Sequence, residues 1–131
     1  MAREENNPTR FSVRKRIKSF SYAFAGIRLL ITSQHNAWIQ LAIGTLVVLA
    51  GLFFRIGRLE WCCVLACIGA VLSLEAVNTS IEHLADTLHP DRSEGIRKVK
   101  DLAAGAVLIV SIVAVVVGLL IFVPYITGMF R

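Results

Sequence analysis

"LAAGAVLIVSIVAVVVGLLIFVPYI", residues 102 to 126, decides the fold. Twenty-five residues pass without a charge, more than the ~20 a helix needs to cross a bilayer. The closing Pro124 and Tyr125 suit a helix that ends at a membrane interface. Working back along the chain, "AWIQLAIGTLVVLAGLFF", residues 37 to 54, is a second candidate whose only strongly polar member is Gln40. Between them a third apolar run begins at Trp61 and must continue to about His83, within a helix read as 61 to 86, to reach spanning length.

The totals agree. Of 131 residues, 56% are hydrophobic and 18% charged, and the mean hydropathy is +0.67. A single domain of this length has too little interior to hide so much apolar surface from water. Lipid is the simpler solvent. The net charge of +5 does not point to nucleic acid, because no zinc or helix-turn-helix signature and no interleaving of basic and aromatic residues accompanies it. Seven of the fourteen Lys and Arg precede residue 36, a distribution suited to anionic headgroups. Cys62, Cys63 and Cys67 are odd in number, partly adjacent and far from any metal-spaced His, so they read as small apolar helix residues. The polar N-terminus carries no signal-peptide pattern.

Ahead of the first span, residues 10 to 32 repeat Phe11, Ile17, Phe20, Phe24, Ile27 and Ile31 at helical spacing against Arg14, Lys15, Lys18 and Arg28. That pattern predicts an amphipathic helix in the membrane interface or packed on the spans. The fold class is therefore an all-α membrane protein, one domain over residues 1–131, with three transmembrane helices plus an N-terminal amphipathic surface helix. Residues 87 to 101, broken by Pro90 and Gly95, read as a charged loop. With this loop and the N-terminus in the cytoplasm, eleven Lys and Arg lie inside. Arg55, Arg58 and Arg131 lie outside, so the positive-inside rule predicts the N-terminus in and the C-terminus out.

The second run does something the others do not. In "LSLEAVNTSIEHLAD", residues 72 to 86, Glu75, Asn78, Glu82 and Asp86 fall at spacings of three and four and so share one helix face, with Thr79 beside them. Glu75 and Glu82 stand two turns apart, ~10 Å along the axis. A carboxylate at membrane depth costs several kcal/mol unless protonated, paired or metal-bound. Interhelical polar glue is the plainer reading, but carboxylates in register repel one another and make poor glue. Hard oxygen ligands suit Mg²⁺, which commonly takes one or two carboxylates together with nucleotide phosphates. Lys100 and Asp101 follow at the predicted start of the third span, where an ammonium and a helix N-terminus would meet phosphate oxygens. The combination outlines phosphoryl transfer at the membrane surface, outside the Walker and protein-kinase classes.

"EAVNTSIEHLAD" followed by "KDLAAGAVL" resembles the small prokaryotic diacylglycerol kinases and undecaprenol kinases. Their hallmark has the form E-x-x-N-[ST]-x-I-E-x-x-x-D, then K-D and a run of small residues. "SYAFAGIR", with Tyr22, Gly26 and Arg28, is similar to the family's N-terminal helix, and the likeness runs from about residue 15 to residue 125. The resemblance implies a three-span enzyme, assembled as a homotrimer with composite sites, that moves the γ-phosphate of ATP with Mg²⁺ to the hydroxyl of a membrane lipid. It implies Glu75 as general base and Glu82 as a metal ligand. Asn78, Lys100 and Asp101 match nucleotide-site residues, and Tyr22 and Lys15 fall where base and phosphates are approached. Two positions depart from the pattern. Gln34 stands where the family commonly has a metal-sharing Glu, and Trp38 where it has an Arg; a Gln carbonyl ligates Mg²⁺ without bringing charge.

Diacylglycerol is the first acceptor expected and undecaprenol the second. Two readings of other classes stand beside the kinase: a proton- or cation-coupled transporter subunit using Glu75 and Glu82 as a relay, and a silent membrane scaffold. A relay calls for carboxylates on more than one span, and the first and third spans carry none. His83, His89 and Trp61 are assigned no catalytic role, Trp61 being read as an outer-interface anchor.

Overall fold

The structure is a computed structural model that describes residues 13–88 and 93–129, and it leaves the side chains of residues 14 and 15 undescribed. Four helices follow one another: α1 (Val13–Ser33), α2 (His35–Phe54), α3 (Arg58–Leu88) and α4 (Glu94–Gly128). The last three are long and apolar enough to cross a membrane. Most of their large apolar side chains lie bare on the surface, as on helices whose solvent is lipid.

α4 lies along α3, α2 packs on α3 less extensively, and α1 touches α2 and α3 lightly. The buried residues of α2 are Ala37, Gly44 and Gly51, seven apart and on one stripe. Hydrocarbon exerts no hydrophobic push between helices, so close backbone approach through small residues is what makes packing favourable. A Cβ on Gly44 would touch Ile68 at 3.6 Å, and one on Gly51 would meet the Trp61 ring at 3.0 Å and Ile56 Cδ1 at 3.1 Å. Trp61 thus covers the end of α2 as part of a cluster in which Ile56, Val64 and Ile121 are buried among Phe54, Phe122 and Tyr125. Gly51→Leu should therefore cost about 1–3 kcal/mol through overpacking, a lowered midpoint in denaturation of the detergent-solubilised protein.

The α2–α3 turn is built to hold this cluster. Arg55 takes the left-handed conformation (φ 54°), with its N–H bonded to Leu52 O while the Ile56 N–H reaches Gly51 O at 3.1 Å. This Schellman closure satisfies the last carbonyls of α2 and turns Ile56 inward. Gly57 N–H and the Tyr125 hydroxyl both donate to Glu60 Oε2, at 2.6 and 2.7 Å, tying the start of α3 to the end of α4.

The elements differ from expectation at three places. α4 begins at Glu94, so residues 94–101 continue the span as helix instead of forming part of a loop. Ser93 caps it, its Oγ accepting from Ile96 N–H, and the pairs Glu94–Lys98 and Arg97–Asp101 hold the charged turns, an effect hydropathy does not register. Second, the helix runs through Pro124 to Gly128; an interior proline is costly in a soluble helix but is tolerated in membrane helices. Third, α1 is present but a clear division into cationic and apolar faces is not: Ile17, Phe20, Tyr22 and Phe24 are exposed alongside Arg16, Lys18 and Arg28, and among its described side chains only Leu30 is buried. Residues 10–12 of that expected helix, with Phe11, and His89 and Pro90 lie outside the described residues.

Candidate active site

On α3 the stripe turns inward. Glu75, at 2% exposure, Asn78 and Thr79 are the buried polar residues, and Ala85 continues their line. The α2 face defined by Ala37 and Gly44 brings Gln40 to meet them, and Gln40 Nε2 donates to Glu75 Oε2 at 2.9 Å. One turn and then two turns further along α3, Asn78 Nδ2 donates to Glu82 Oε1 at 3.3 Å. Three buried oxygens in this patch have no hydrogen-bond partner: Gln40 Oε1, Asn78 Oδ1 and Thr79 Oγ1. Buried acceptors without donors are uncommon in native proteins, which singles this patch out.

At the far end of the stripe, Lys100 Nζ of α4 binds both oxygens of Asp86, at 2.8 and 3.1 Å. Lys100 lies in the second turn of α4, not at its first residues, so the ammonium acts here without the free N–H groups of a helix start. Asp101 pairs with Arg97 instead of joining this group. Gln34 sits at the break between α1 and α2, half-buried and in extended backbone (φ −117°, ψ 118°), with no capping hydrogen bond from its side chain. Tyr22 is exposed on α1 with Lys18 Nζ 5.9 Å from its ring centre. Among the described residues no hydrogen bond links Gln34, Tyr22 or Asp101 to the stripe, and the Lys15 side chain lies outside them. His83 is exposed, and Trp61 packs on Gly51.

Gln40 is the residue the sequence reading passed over. Its signal was available: a lone amide in an apolar span, three residues from Ala37 and four from Gly44 on the packed face of α2.

The donor set suits a nucleotide-bound divalent cation better than a dedicated metal cage. Among the described residues no three His, Cys, Asp or Glu side chains cluster as ligands. What is present is one half-buried carboxylate, Glu82, with the orphan amide oxygen of Asn78 on the same face. Magnesium commonly asks the protein for no more, since phosphates and water fill its other positions.

From Gln40 a groove of about 410 Å³ runs between α2, α3 and α4 past Ile43, Gly44 and Ile68 to Phe122 and Ile126. Its walls are almost wholly apolar, with Ser111 and Gln40 among the few polar residues. A hydrocarbon chain fits such a surface.

The prokaryotic diacylglycerol kinase family profile matches residues 21–122. The chain is 34% identical over 107 residues to an undecaprenol kinase of Bacillus subtilis, covering 82% of this chain and 87% of that protein. It is 33% identical over 107 residues to a diacylglycerol kinase of a Synechocystis species, covering 81% of this chain and 61% of that protein. The enzymatic reading thereby stands over the transporter and the scaffold: this is a membrane-embedded kinase acting on a lipid alcohol with a nucleotide co-substrate. The chain belongs to the prokaryotic diacylglycerol kinase family.

Proposed function

We propose that the chain transfers the γ-phosphate of ATP to the hydroxyl of diacylglycerol. The observation that carries this is Glu75, a buried carboxylate held by the neutral amide of Gln40, which itself lines an apolar groove. The lipid's hydrocarbon lies in the groove and its hydroxyl meets Glu75. As the hydroxyl oxygen bonds to the γ-phosphorus, the bond from that phosphorus to the β-bridging oxygen breaks and ADP leaves. The hydroxyl proton passes to the Glu75 carboxylate.

Around this step the other residues bind and orient. Glu82 would hold Mg²⁺, with the amide oxygens of Asn78 and Gln34 as neutral ligands, and the ion would offset charge on the phosphates. Lys100 supplies a cation to the transferred group, Asp101 and Asn78 shape the nucleotide site, and Lys15 and Tyr22 of α1 approach phosphates and base. The chemistry faces the cytoplasm, where ATP is, with the N-terminus inside and the C-terminus outside. The unit is a homotrimer with sites completed between copies, a reading that rests on the family resemblance alone.

Undecaprenol as acceptor is the second reading. It is favoured by the Bacillus subtilis relative, whose length this chain covers more fully than that of the diacylglycerol kinase.

Purified protein in mixed micelles, given labelled ATP with Mg²⁺ or with chelator, tests both. Phosphatidic acid formed only with the metal supports diacylglycerol; undecaprenyl phosphate alone moves the assignment to the second reading; no product on either lipid overturns the kinase reading. In the same assay Glu82→Gln should raise the Mg²⁺ needed for half-maximal rate by about 10- to 100-fold, as loss of a ligand or its orienting partner usually does.

A further inference from the structure

We propose that Gln40 is the positioning residue of Glu75, setting where its carboxylate stands relative to the lipid hydroxyl. The role rests on Glu75 being the base, as proposed above.

Three observations place Gln40 there. First, its Nε2 donates to Glu75 Oε2 at 2.9 Å across two helices, so the carboxylate is aimed by α2 while its backbone belongs to α3. Second, Gln40 lines the groove itself, and its Oε1 is buried without a donor. One side chain thus lines the apolar channel and gives its amide N–H to the base. Third, the mounting is firm. Ala37 and Gly44, a turn to either side, are buried, and Gly44 lies against Ile68 of α3.

The chemistry of the donor matters as well. α2 contains no Lys or Arg. A guanidinium or ammonium at this place would stabilise the carboxylate so strongly that it would lose its readiness to accept a proton. An amide aims the carboxylate without neutralising it. A buried interhelical hydrogen bond could also serve only to join the spans, and the two roles separate by experiment.

Gln40→Met keeps side-chain length and suits a span, so the helices still pack. If Gln40 positions the base, kcat for lipid phosphorylation falls by about 10- to 100-fold, the usual consequence of losing a residue that orients a functional group. KM for ATP does not change, since the nucleotide residues are elsewhere. The decisive arm is the double variant: in a Glu75→Gln background, Gln40→Met should produce no further loss, because there is no base left to aim. Full turnover in Gln40→Met, or an equal loss with and without Glu75, overturns the role and leaves interhelical joining in its place. A wild-type protein that phosphorylates no lipid alcohol overturns the proposed function and this role together, whereas an active wild type with an indifferent Gln40 overturns this role alone.

Discussion

Glu75→Gln should lower turnover of the lipid substrate by about 1,000-fold while the protein remains folded and KM for ATP is unchanged. The size follows from removing a positioned general base, which contributes between about 100- and 10,000-fold in enzymes of many kinds. The unchanged KM follows from the proposed placement: Glu75 is assigned to the hydroxyl, and Glu82, assigned to the nucleotide's metal, lies two turns away along α3. A group that acts only as the proton leaves affects the transition state and not the ground-state complex. Folding should survive because the replacement keeps the shape, and the new carbonyl still accepts from Gln40 Nε2. Taking a buried charge out of a helix interface removes a desolvation cost, so the unfolding midpoint should hold or rise. Steady-state kinetics beside thermal unfolding of the same preparation checks both halves. A folded variant with near-normal turnover would remove Glu75 from the proton-transfer step.

How much of this was written in the sequence depends on which physical signal each feature leaves. The three spans are legible because twenty apolar residues in a row have few soluble explanations. The stripe on α3 is legible because a carboxylate in such a run is costly, and the spacings 75, 78, 82 and 86 place the costs on one face. The start of α4 was less visible: from Glu94 to Asp101 the helix is held by a Ser93 cap and i,i+4 charge pairs in a segment whose hydropathy resembles a loop. Gln40 escaped for the opposite reason. A single amide in a greasy span looks like an exception until Ala37, Gly44 and Gly51 define the packed face that it shares. The amphipathic reading of α1 rests on periodicity, and periodicity says nothing of what a face is laid against; most of its apolar residues stand bare in the described chain, Leu30 excepted.

Lys100→Met should reduce kcat/KM for ATP by about 100- to 1,000-fold, the range seen when one preorganised donor to developing negative charge is deleted. The ammonium is held in advance of the nucleotide. It lies 2.8 Å from Asp86 Oδ1 and 3.1 Å from Oδ2, and its three N–H donors leave capacity for a phosphate oxygen. Because Asp86 belongs to α3 and Lys100 to α4, this pair also fixes the cation relative to the stripe that carries Glu75 and Glu82. Asp86→Asn should therefore do less harm, about 10-fold, since it loosens the tether but keeps the charge. Lys100→Arg should fall between the two, its charge retained on a planar fork of different reach. The order Asp86→Asn, Lys100→Arg, Lys100→Met in increasing loss identifies the charge itself as the working element. If Asp86→Asn were as damaging as Lys100→Met, the bridge between α3 and α4 would matter more than the cation, and Lys100 would leave the phosphoryl-transfer site for the scaffold.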